Sequence, residues 1–268
     1  MKKLQKLILV SLVSISIFSW IVSINQPDMM SIMVNYNPLL IGLFTASWTA
    51  GMAAMMFPAI VPMVLLYNKL LTNEQSISSA ETERLESKFF RLKMILFVGM
   101  YLVIWALTGV GLLLAWSVPM NYVVISSDTN NIGIIFGSIL IISGIYQFTP
   151  LKNKCIGYCE SPLSFFMRRW NNGTIGAIKM GTFHGLYCLG CCWPYFLIMV
   201  SLGWMNISWM ALFAAVIFGE KIWSRGIWIA RSVGIVLILL GILSSLGIVV
   251  INDNMTVVNL PEADNMVM

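Results

Sequence analysis

What most constrains this chain is a succession of uninterrupted apolar runs long enough to cross a bilayer. About 20 apolar residues of helix span the hydrocarbon core, and such runs fall at residues 7–24, 39–66, 94–116, 132–148, 180–203, 207–218 and 227–251. The sixth is short. Composition agrees: 59% of the 268 residues are hydrophobic and 10% are charged, where a soluble domain carries about 25% charged residues. A water-soluble globule is excluded, and the expected fold is all-α, a polytopic membrane bundle of about seven transmembrane helices. The first run follows Lys2, Lys3 and Lys6, as in a signal peptide, but no A-x-A-like cleavage site follows it. It is therefore expected to be a retained helix.

The net charge of +5 is a topology signal. All 16 Lys and Arg fall in four places: the N-terminus, residues 69–93, residues 152–179 and residues 221–231. With seven spans these places share one face, and the other keeps only Asp28, Asp128, Asp253, Glu262 and Asp264. The positive-inside bias then puts the N-terminus in the cytoplasm and the C-terminus outside. One transmembrane domain is expected over residues 1–251. It would carry a polar cytoplasmic loop at 68–91, a cytoplasmic cysteine loop at 150–179 and a disordered external tail at 252–268. In the first loop, Ser78-x-x-Glu81 has the capping-box pattern that starts a helix. Gly133-xxx-Gly137 and Gly181-xxx-Gly185 suit close helix packing.

Catalytic signatures are missing. The single histidine, His184, has no G-x-S-x-G near it, and there is no phosphate-binding loop, no dinucleotide fingerprint and no H-E-x-x-H. A nucleotide-driven pump, a zinc protease and a nucleic-acid binder are all disfavoured, and nothing marks the chain as an enzyme.

The chemistry that does stand out is soft. His184, Cys188, Cys191 and Cys192 fall within nine residues of the fifth run, on one stripe at about 100° per residue. Cys155 and Cys159, spaced i, i+4, lie in the preceding cytoplasmic loop. A second stripe in the second run carries Met52, Met55, Met56 and Met63, interrupted by Pro58 and Pro62. At about 1.5 Å per residue, Met56 comes level with Cys188, and Met63 with His184. The expected arrangement is a ladder from mid-membrane to cysteines at the cytoplasmic entrance. A lone membrane cysteine or methionine stripe is ordinary packing. The combined H-x3-C-x2-C-C run points to metal or redox use, because polar ligands in lipid are costly. Thiolate, thioether and imidazole select Cu(I) first and Zn(II) next. Glu220 and Lys221 end the sixth run. They read either as charges snorkelling to the cytoplasmic headgroups, or functionally, with Glu220 pairing with Arg231 or Lys221 or helping to guide a cation toward the cysteines.

Four segments in this order, WTAGMAAMMFPAIVPM, YQFTPLKNKCIGYCESPLSFF, GAIKMGTFHGLYCLGCCWP and MNISWMALFAAVIFGEKIW, followed by Arg231 and Gly234, resemble the predicted metal-binding integral membrane proteins. These form a prokaryotic family sometimes labelled copper chaperone. The resemblance spans residues 45–245 and implies a multi-pass protein of a prokaryotic plasma membrane. It also implies a metal-binding role at Cys155, Cys159, His184, Cys188, Cys191, Cys192 and the Met52 to Met56 run.

The functional expectation is copper handling, as chaperone or transporter, with the lipid bilayer, a metal ion and another membrane protein or complex as partners. Two alternatives stand beside it. One is a thiol–disulfide electron relay built on Cys188-Leu-Gly-Cys191 and the Cys155, Cys159 pair. The other is a non-catalytic assembly subunit in which the cysteines only pack.

Overall fold

In lipid a backbone polar group finds no water, so long apolar runs must satisfy their hydrogen bonds internally, as helices. The computed structural model describes residues 3–24, 38–75, 83–125, 129–201, 206–223, 225–250 and 257–258. Among them are nine helices: α1 (Lys3–Ile24), α2 (Pro38–Gln75), α3 (Glu83–Ile125), α4 (Thr129–Tyr146), α5 (Pro150–Glu160), α6 (Pro162–Arg169), α7 (Gly173–Ser201), α8 (Ile207–Ile222) and α9 (Gly226–Ser245). A minimal antiparallel ladder joins β1 (Val249–Val250) to β2 (Val257–Val258). Apart from those two valines of β2, the tail expected at 252–268 lies outside the described residues, as do Ser78, Glu81 and the five acidic residues of the opposite face.

Four of these helices are long and apolar enough to cross a membrane over Gln5–Ile24, Pro38–Thr72, Phe89–Ala115 and Gly226–Ser245. A fifth crossing arises if α4 and α5, which meet at a 65° bend, form one broken span. Helices α7 and α8 are not among them. With 16 residues, α8 reaches only about 24 Å, less than the ~30 Å hydrocarbon core. Helix α7 carries His184, Lys179 and several Gly and Thr residues, and it packs against α3, α4, α5 and α8. Enclosed in this way, it need not be as apolar as a lipid-facing helix. The outer helices instead turn large apolar side chains outward, among them Phe18, Ile95, Leu107 and Leu239. Water would penalise that surface and lipid would not.

Helices pair as α1 with α2, α3 with α7, and α4 with α9, while α2 also meets α3 and α8. The α4–α9 seam is made by glycines at a seven-residue spacing on each helix. A Cβ on Gly241 would stand 2.7 Å from Gly137 O, and one on Gly144 2.8 Å from Gly234 O. Gly181 likewise admits the backbone of Phe97 from α3. Between these seams, Trp48, Trp105 and Phe196 fill the centre, and Trp48 Nε1 donates to Trp105 O at 3.1 Å.

The stretch expected as a cysteine loop at 150–179 is mostly helical. Thr149 caps α5, its hydroxyl accepting from Lys152 N at 3.3 Å, and Pro150 takes the first helical turn, where its missing N–H costs nothing. Pro162 starts α6 in the same way. The polar stretch 68–91 is likewise taken up largely by the end of α2 and the start of α3.

Candidate metal centre

Helix α7 presents Cys188, Cys191 and Cys192 to the interior, all three fully buried, with His184 one turn below. The thiols are close neighbours. Cys191 Sγ lies 3.3 Å from Cys192 Sγ and reaches Cys188 O at 3.1 Å. Helix α2 supplies Met52, Met55, Met56 and Met63, all buried, from a stretch in which Pro58 and Pro62 interrupt the backbone ladder.

Cys155 and Cys159 do not sit at a distant entrance. The bend after α4 lays α5 across α7, so that Cys159 Sγ comes within 3.9 Å of Cys191 Sγ. Cys155 is buried against Gly190, where a Cβ would stand 2.8 Å from its sulfur. All five thiols are free, and all five gather around one stretch of α7.

The charged residues at the end of α8 also differ from expectation. Both are buried. Asn206 caps α8 by accepting from Ser208 N and Trp209 N at 3.0 and 3.4 Å, and the helix runs from there into the core against α2, α5 and α7. Glu220 pairs with Lys152 of α5 at 2.7 Å, and not with Arg231 or Lys221. Lys152 Nζ also donates to Cys191 O at 2.6 Å, and Tyr195 OH donates to the other oxygen of Glu220. Lys221 takes a different partner: its Nζ stands 2.7 Å from Cys188 Sγ and 3.7 Å from Met56 Sδ. Tyr101 OH adds a contact to Cys188 Sγ at 3.1 Å. Among the described residues, Lys152 and Lys221 are the buried basic side chains.

Of the residues singled out from sequence, Cys159, Cys188, Cys191 and Cys192 form the sulfur cluster, with Cys155 at its edge and Met56 joined to it through Lys221. Met52 and Met55 lie in the same buried core. His184 is set apart in an aromatic box, its ring centroid 5.4 Å from Tyr101, 5.7 Å from Phe165 and 6.0 Å from Phe97. Both of its ring nitrogens are buried without a hydrogen-bond partner among the described residues. An imidazole so placed keeps a lone pair available to a ligand. Among the described residues, no group of three or more His, Cys, Asp or Glu is already arranged to hold a metal ion. Thiol, thioether and imidazole are donor types that suit a soft metal ion.

Sequence reading did not find Lys152, Tyr195 or Tyr101. The Thr149-Pro150 helix start just ahead of it was the available signal for Lys152; the two tyrosines had none.

A family model described as copper chaperone matches residues 45–244, which include every residue of the cluster. No curated protein and no solved structure matches the chain.

Proposed function

Starting from the chain's membership of the copper chaperone family, we propose that it is a multi-pass membrane protein that binds Cu(I), with Zn(II) as the lesser candidate, and hands it on. In this reading the chain crosses the membrane seven times, N-terminus in the cytoplasm and C-terminus outside, in a prokaryotic plasma membrane. Helix α7 then completes a span inside a ring of lipid-facing helices. Cys188, Cys191, Cys192 and His184 would hold the ion together with Met52, Met55 and Met56, and Cys155 and Cys159 would exchange it with a partner.

One observation supports this most strongly: all five free thiols gather at residues 188–192 of α7, in a core that also holds Met56. Thiolate and thioether donors together favour Cu(I). Purified protein supplied with copper or zinc should retain the metal, and Cys188→Ser/Cys191→Ser should lose most of it. Equal stoichiometry in the two proteins would defeat the proposal.

The 3.9 Å separation of Cys159 and Cys191 gives some weight to a thiol–disulfide relay. Thiol alkylation followed by mass spectrometry, in cells held reducing and then oxidising, distinguishes the two. A relay must cycle between states, and a metal site need not.

A further inference from the structure

Lys221 is the one buried charge that the Lys152–Glu220 pair leaves over among the described residues. An ammonium taken out of water is costly unless it is paired and hydrogen-bonded. Lys221 nevertheless has no carboxylate beside it. Its Nζ is held by sulfur, at 2.7 Å from Cys188 and 3.7 Å from Met56. Those two sulfurs come from different helices, α7 and α2, and both approach the same ammonium. A cation already stands where two soft donors converge.

We infer that Lys221 is a built-in placeholder for the metal. Its ammonium fills the gap between Cys188 and Met56 in the metal-free protein, and the arriving ion displaces it. This rests on the metal-binding reading above and adds the residue that gates it. It also accounts for soft donors that crowd together without forming a ready-made site: the ammonium holds part of the donor set, and the donors close on the ion only after it leaves. The departure has a route. Lys221 lies in the last turn of α8, shortly before the exposed Arg225, and its four-carbon stem is long enough to carry the charge toward that polar end. With Cys188 as the thiolate that accepts from Lys221, a monovalent ion replaces the ammonium charge for charge and no proton is released there, whereas a divalent ion adds one positive charge to the interior. Lys221 thereby favours Cu(I) or Ag(I) over Zn(II).

The test uses the full chain in detergent, with Ag(I) as a redox-inert monovalent probe and an amine-acylating reagent read by peptide mass spectrometry. On Ag(I) loading, acylation of Lys221 should rise by about tenfold while Lys152, still held by Glu220, stays protected. Lys221→Leu, which has no ammonium to expel, should bind Ag(I) roughly tenfold more tightly in competition with a chelator. Bound Ag(I) with unchanged Lys221 acylation overturns the placeholder role and leaves the metal-binding reading standing. Absence of bound metal in both proteins overturns both. If Lys221→Leu fails to fold, acylation of the unsubstituted protein decides alone.

Discussion

Along the seam between α4 and α9, from Gly133 to Gly144, backbone approaches backbone with little more than glycine, serine and aliphatic side chains between. The cleft among α5, α7 and α8 instead encloses a lysine–glutamate pair, a second lysine and a run of thiols. Both regions hold helices together in one bundle, and the seam shows that small residues suffice for that task. Buried ion pairs add little net stability compared with well-packed apolar groups of the same size. Of the charges in the second region, Lys221 touches sulfur directly, while Lys152 reaches the thiol run through Cys191 O and holds Glu220 beside it.

The largest effect expected from this contrast comes from breaking the ion pair on one side. Glu220→Ala strands Lys152 in the core and should cost about 3–5 kcal/mol in detergent unfolding, while Lys152→Met/Glu220→Leu together should recover most of the loss. If the double variant is as unstable as the single one, the network is structural in its own right and the contrast fails. Next is Gly241→Ala, which sets a methyl 2.7 Å from Gly137 O and should cost about 1–3 kcal/mol. Metal retained per folded molecule should not change; a fall would show that the seam and the cluster are coupled. The smallest effect is expected at His184. Its ring has no hydrogen bond to lose among the described residues, so His184→Phe should shift stability by less than about 1 kcal/mol. It should nevertheless lower metal retention, and a large loss of stability instead would assign the ring a structural partner.

The helices were legible in sequence because lipid leaves apolar runs so few alternatives. The α7 cysteine run was legible because three thiols and the only histidine within nine residues are hard to ascribe to packing. Residues 150–169 were misread as a loop for an identifiable reason. Pro150 and Pro162 and their basic neighbours look like loop punctuation, yet a proline at the first turn begins a helix as readily as it ends one. That error moved Cys155 and Cys159 away from the thiols they adjoin. The pairing of Lys152 with Glu220 spans 68 residues of sequence and is fixed by where α5 and α8 come to rest, so no local pattern could announce it. A lysine ending an apolar run usually snorkels to a headgroup surface, which is one of the two readings the sequence leaves open for Lys221. Its buried place depends on α8 being short and capped at Asn206.

The approach of Cys159 to Cys191 carries a thermodynamic consequence. These sulfurs lie 32 residues apart in the chain, on two helices set by the bend after α4. An ion bonded to both would act as a reversible tether, closing a loop that the unfolded chain would otherwise leave open. A ligand that binds only the folded protein raises its melting temperature in proportion to the logarithm of free ligand concentration. Heat resistance thus becomes a gauge of affinity: a series of thermal melts against free metal reports how tightly the folded protein holds the ion, without any assay of delivery.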